Sequence, residues 1–141
     1  MTHTGMRKYI CKIFLAFLLT AVSITAFGQA RLGSTDADIK AEYGQSRYKL
    51  KAGYNSSGSY YVSINTGIAS VLYFFNEKQV CTSVCIVPNN QGVLNYYVEL
   101  YNKQYVIVSS KKWKMYSDDG IANIELIYPD KGGYYFLWST D

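Results

Sequence analysis

VCTSVCIVPNNQGVLNYYVELYNKQYVIV, residues 80–108, sets three periodicities end to end, and their order decides the fold class. Val80, Val84, Ile86 and Val87 make the first nine residues strand-like, and Pro88, which has no N–H to give a ladder, ends them. In residues 89–104, Val93, Leu94, Tyr97, Val98 and Tyr101 then fall at i, i+1, i+4, i+5 and i+8. That is one apolar stripe of a helix, with Asn102 where a helix stop is expected. The β-branched run Val106–Val108 starts a strand again. A helix with a polar back, set between strands, buries its stripe on a sheet, which is an α+β arrangement.

Upstream, STDADIKAEYGQ (34–45) has Ser34 or Thr35 as N-cap, Asp36 and Asp38 in the first turn where the helix dipole favours negative charge, and Gly44 as a left-handed stop. Ile39 and Tyr43 form its buried stripe. RYKLKAGY (47–54) alternates, with Tyr48, Leu50, Ala52 and Tyr54 inward and Arg47, Lys49 and Lys51 outward. After NSSG (55–58), the stretches SYYVSIN (59–65) and IASVLYFF (68–75) are strands joined at Thr66–Gly67, and NEKQ (76–79) leads into the cysteine strand. Downstream, YVIVSSKKWKMYS (105–117) reads as one long strand whose inward parity shifts between Val108 and Trp113, so a bulge or bend is expected at SSKK. IANIELIY (121–128) points Ala122, Ile124, Leu126 and Tyr128 inward, and DKGG (130–133) turns into YYFLW (134–138).

The expected architecture is therefore αβββ-β-αβββ, an antiparallel sheet with both helices packed on one face and a possible internal duplication. Residues 39–51 lie against 97–109, NSSG against SDDG (117–120), SYYVSIN against residues 121–127, and residues 69–75 against YYFLW. This pairs Tyr43 with Tyr101 and Gly44 with Asn102, and leaves the cysteine strand between the halves.

Residues 1–28 carry an export signal in outline: basic Arg7, Lys8 and Lys12, an apolar stretch from Ile13 to Ile24, and a small-x-small site at Ala26-Phe27-Gly28. Cleavage is expected after Gly28 or Ala30, leaving residues 29–141 as a single α+β domain. An uncleaved anchor is the competing reading, but the apolar stretch falls short of the roughly 20 residues of a spanning helix. No stable membrane anchor is expected after cleavage. The formal charge of +4 loses those three basic residues, and 4 − 3 leaves about +1, so the basic balance belongs to the signal. Only Lys111, Lys112 and Lys114 remain clustered, which argues against a nucleic-acid partner.

The opening STDADIKAEYG resembles the start of the SmpA-like and β-lactamase-inhibitor-like envelope domains. The signal ending FGQA and the tyrosine-rich body, as in VLNYYVELYNKQYVIV, are similar to small exported proteins of Bacteroidota. The resemblance implies a periplasmic or secreted module that acts by holding a partner. The chain departs from the SmpA-like pattern in lacking a lipobox, since Cys11 precedes the apolar stretch.

Catalytic chemistry is poorly supported. The one histidine is His3, ahead of the signal's apolar stretch, so the mature chain has no imidazole for nucleophilic catalysis or for most zinc sites. Asp36/Asp38 suit a helix N-terminus and Asp118/Asp119 a turn, better than a glycosidase pair or a calcium loop. No cofactor or metal is expected. Cys81 and Cys85, four apart on a strand, would share a face with Cα atoms roughly 13 Å apart, too far to bridge each other. They read as buried thiols or as an intermolecular disulfide.

The runs VLYFF and YYFLW put aromatics at both parities, which points to a second apolar sheet face. The expected function is a non-enzymatic module that binds another protein through that face, with an unidentified envelope or secreted protein or a second copy as occupant. The candidate residues are Tyr61, Tyr73, Trp113, Tyr116 and Trp138. The alternative is a small-ligand or glycan binder that stacks on Trp113, Tyr116 and Trp138. Against it stands a strand that alternates a buried Trp113 with solvated lysines.

Overall fold

Helix α1, Asp36–Tyr43, begins where the sequence expects it, because the Thr35 side chain accepts from the Asp38 N–H at 3.2 Å. Asp36 and Asp38 lie in its first turn, and Ile39 and Tyr43 are buried. The computed structural model describes residues 31–44 and 48–141. The expected signal segment, both cleavage sites, Cys11 and Arg47 lie outside the described residues. Residues Arg31–Asp141 form one compact unit. Gly44 is not the left-handed stop its identity suggests: its φ is −64° and its N–H bonds back to the Lys40 carbonyl at 2.7 Å.

Four strands follow: β1 Lys51–Tyr54, β2 Tyr60–Asn65, β3 Ala69–Phe75 and β4 Cys81–Pro88. Helix α2, Gln91–Gln104, starts at Asn90, whose side chain accepts from the Val93 N–H at 3.0 Å. It runs past Asn102, the expected stop, to Gln104. The chain closes with β5 Val106–Ser109, β6 Lys112–Ser117, β7 Gly120–Ile127 and β8 Tyr135–Thr140. All eight strands form one antiparallel sheet in the order β1-β2-β3-β4-β8-β7-β6-β5.

The stretch expected as one long bent strand is two. Residues 106–109 and 112–117 fold back on each other, with Ile107 opposite Trp113. The parity shift at SSKK marks a reversal of direction. With this extra strand each half reads helix, then four strands in order. Each helix leads to an outer strand, each meander returns to the centre, and the two meet where β4 pairs with β8. The comparison of halves made from the sequence is thereby one strand out of step: the partner of β2 in that order is β6, and the cysteine strand β4 ends the first half, opposite β8.

Both helices lie on one face. Tyr43 of α1 stacks on Tyr73, Tyr101 of α2 meets Trp138 edge-on, and Tyr73, Val84 and Trp138 sit directly across from one another on successive strands. This face is the core. Val62, Tyr73, Val84, Trp138, Ile124 and Trp113 form one cross-strand row, all buried. Ala52 and Tyr54, expected inward, stand opposite Val62 and Tyr60 but are exposed, since β1 is the edge strand and the face it presents is not covered there.

The β3–β4 hairpin carries a further departure from strand alternation. Phe74 pairs with Ser83 but Phe75 pairs with Cys81, so Thr82 is an inserted residue, a β-bulge. The start of β4 also grips the lead into α1. Gly33 N–H donates to the Cys81 carbonyl, Cys81 N–H to Ser34 and Asp36 N–H to Gln79, at 2.8–3.1 Å. These bonds satisfy an N-terminal donor of the helix that no intrahelical carbonyl can reach.

Candidate functional site: the helix-free sheet face

Strand alternation that sends Val71 and Tyr73 to the helices sends Leu72 and Phe74 the other way. Across the sheet, Ser63, Leu72, Cys85, Leu137, Glu125 and Lys112 form one continuous row on this second face. A neighbouring row runs Gly53, Tyr61, Phe74, Ser83, Ser139, Asn123 and Lys114. The middle of the first row is apolar over three strands, and its ends are hydroxyl and charge. Leu72, Phe74, Cys85 and Leu137 are each half-buried, held by their strand neighbours with neither helix upon them. Tyr61 leans on Phe74 with ring centres 6.1 Å apart. An apolar middle with a polar margin is the anatomy of a protein-contact surface.

The candidate aromatics divide between the two faces. Tyr61 is half-buried on the helix-free face, and Tyr116, 60 % exposed, is on that face at the end of β6, with four strands between it and β2 on which Tyr61 sits. Tyr73, Trp113 and Trp138 are 0 %, 1 % and 3 % exposed and belong to the core under the helices, which corrects their assignment as contact residues. The reason is parity: each sits in the row that Tyr43 and Tyr101 cover. Neither tryptophan is a stacking platform, so the glycan-binding alternative retains only Tyr116 of its three residues. The lysines around Trp113 are a solvated face, and Lys111 lies 5.1 Å from the ring centre of Tyr128.

What the two tryptophans do instead is organise α2. Tyr101 is ringed by Tyr97, Tyr105, Trp113, Phe136 and Trp138 at 5.0–5.8 Å, and its hydroxyl accepts from the Trp138 indole N–H at 3.3 Å. Burial pushes the Tyr101 hydroxyl pKa well up, partly offset by the Trp138 bond. Tyr73 is raised likewise, by burial first and then by Tyr43.

The bulge at Thr82 separates the two cysteines. Cys81 lies opposite Phe75 and Cys85 opposite Leu72, residues of opposite parity, so the thiols point to opposite faces and do not share one as simple alternation predicts. Cys81 is buried on the helix side, where loss of solvent pushes its thiol up to about 12, against the pull of backbone bonds at Ser83 and Phe74. Cys85, half-buried at the centre of the helix-free face, is raised by burial as well. Both are free.

The acidic pairs sit where their local structure expects them. Asp36 accepts from the Tyr60 hydroxyl at 3.2 Å and pairs with Lys40 at 3.2 Å, while Asp118 and Asp119 sit in the turn between β6 and β7. Among the described residues no group of three or more His, Cys, Asp or Glu could hold a metal ion, and no helix is long and apolar enough to cross a membrane. The sequence foresaw the second apolar face from VLYFF and YYFLW, but not the exposure of β5, where Val106, Ile107 and Val108 are all open. Compared with protein-family models, curated proteins and solved structures, the chain matches none.

Proposed function

We propose that this chain is an exported, non-enzymatic binding module that holds another protein against the helix-free face of its sheet. The observation that carries the reading is the row Leu72, Cys85, Leu137: three apolar side chains abreast on the central strands, with neither described helix over them and with Ser63 at one end and Glu125 and Lys112 at the other. Large apolar patches with a polar rim mark contact sites more often than they occur by chance on a monomer. Export rests on the signal read in residues 1–28. The absence of enzymatic activity rests on the sequence, whose one histidine precedes that segment's apolar stretch, and on the character of the thiols, which burial keeps protonated. The matching order of helix and four strands in the two halves supports descent from one duplicated unit.

A photo-crosslinking residue placed at Leu137 in the producing cells tests the site. A discrete protein adduct is expected there, weakened when Leu72→Lys is added, and absent when the crosslinker sits at Tyr54 on the other face. No adduct at position 137, or equal adducts at 137 and 54, would sink the proposal.

A further inference from the structure

Strand β5 ends the sheet, pairing with β6 on one side and with no described strand on the other. We infer that two copies of this chain associate through β5, antiparallel about a two-fold axis near Ile107, so that the sheet continues from one copy into the next.

The two edges of the sheet are built differently. Edge strands expose unpaired N–H and C=O groups, and soluble proteins protect them with lysine, proline or inward charge. The β1 edge follows that rule, with Lys49 and Lys51 in and beside the strand. Strand β5 has neither: residues 105–110, YVIVSS, carry no charge and no proline. Val106, Ile107 and Val108 are 53 %, 56 % and 54 % exposed, an apolar run of strand-forming residues laid along an open edge.

Its sequence also complements itself. A two-fold axis at Ile107 sets Val106 of one copy against Val108 of the other and Ile107 against its own counterpart, pairs of β-branched side chains that favour cross-strand contact. No like charges meet at that seam, whereas any strand laid along the β1 edge lies beside Lys51. An axis normal to the sheet also leaves the helices of both copies on the same side, where α2 ends one residue short of β5. A C2 contact of this kind closes on itself and makes a dimer, not a filament.

Its strength is limited. Strand β5 has four residues, and the register slip at Val108 shortens the regular stretch. Three half-open side chains bury far less than the roughly 1,200–2,000 Å² of a stable complex. The dimer is therefore reversible and depends on concentration. It is independent of the helix-free face, which remains free in it.

Sedimentation of the protein purified from its producing cells, across a hundredfold range of concentration, tests this. The expected result is a monomer–dimer equilibrium that Ile107→Lys shifts at least tenfold towards monomer, because it sets two lysines against each other, while Leu72→Lys leaves it unchanged. A second variant does not depend on that substitution folding well: Ile107→Cys in a Cys85→Ser background should form a covalent dimer under mild oxidation, and Ala52→Cys at the other edge should not. Monomer at every concentration, a dimer untouched by Ile107→Lys, or a dimer lost with Leu72→Lys would each overturn the inference.

Discussion

The indole N–H of Trp113 donates to Asn102 Oδ1 at 2.8 Å, joining the start of β6 to the last turn of α2. One residue earlier, the Tyr101 hydroxyl takes the indole N–H of Trp138. Two adjacent helix residues thus satisfy both tryptophans of the core, and fix the axial position and rotation of α2 over the second half of the sheet.

Asn102→Ala should lower stability by about 1–3 kcal/mol, the usual cost of leaving a buried donor unpaired. Asn102→Asp keeps an acceptor and should recover part of that loss. Tyr101→Phe removes the partner of Trp138 and should fall in the same range, whereas Tyr101→Ala also opens a cavity and should cost about 3–5 kcal/mol. Urea unfolding followed by tryptophan fluorescence measures all four. Equal stability of Asn102→Ala and the parent would show that the bond is dispensable.

Stability should fall steeply in alkali. Burial raises the pKa of Cys81 from the ordinary 9.0 to about 12 and raises those of Tyr73, Tyr101 and Tyr105 above 10.0. The unfolded chain therefore gives up these protons at lower pH than the folded one, binds fewer protons in that range, and gains relative to it as pH rises. Stability is intact below about pH 9 by this count and declines from there through pH 12. Absorbance at 295 nm should show the buried tyrosines ionising together with the loss of ellipticity. Full tyrosine ionisation in a still folded protein would contradict the burial.

The thiols should react in sequence. Cys85 is half-buried and should be alkylated slowly at pH 8 in the native protein, while Cys81 should resist until unfolding. Mass spectrometry of protein treated with iodoacetamide, with and without guanidinium, assigns each. Equal native labelling of both would mean that the bulge does not hold Cys81 on the helix side.

The turn between β3 and β4 offers a pair of opposite effects. Asn76 Oδ1 accepts from the N–H groups of Lys78 and Val80 at 2.9 and 3.1 Å, and Gln79 adopts φ 59°, a left-handed conformation that costs a side-chain-bearing residue about 1–2 kcal/mol. Asn76→Ala should destabilise by about 1 kcal/mol. Gln79→Gly should stabilise by about 0.5–1 kcal/mol, since glycine takes that conformation freely. Thermal unfolding of the two variants should move in opposite directions.

Much of the architecture is legible in the chain because it is written locally. Thr35, Asp36 and Asp38 announce α1, the stripe Leu94, Tyr97, Tyr101 announces α2, and the two-parity runs VLYFF and YYFLW announce a second apolar face. The misread features depend on partners distant in sequence. Nothing in SSKK has the glycine, asparagine or aspartate of a common hairpin turn, so the reversal between β5 and β6 showed only as a change of parity. The insertion at Thr82 leaves no local mark, since every residue of VCTSVCIVP suits a strand and register is set by the neighbour. Sequence spacing likewise cannot say which strand is outermost, and that alone exposes Tyr54 and Ile107.

The Thr82 bulge sets how many covalent bonds the folded chain can offer. Two cysteines on one open face would let molecules link into chains and networks wherever oxidants act. Turned to opposite faces, with Cys81 sealed under the helices, the described residues present a single usable sulfur, Cys85. Through those residues the folded protein is monovalent in disulfide chemistry: it can be capped once or joined to one other molecule, and the reaction stops there.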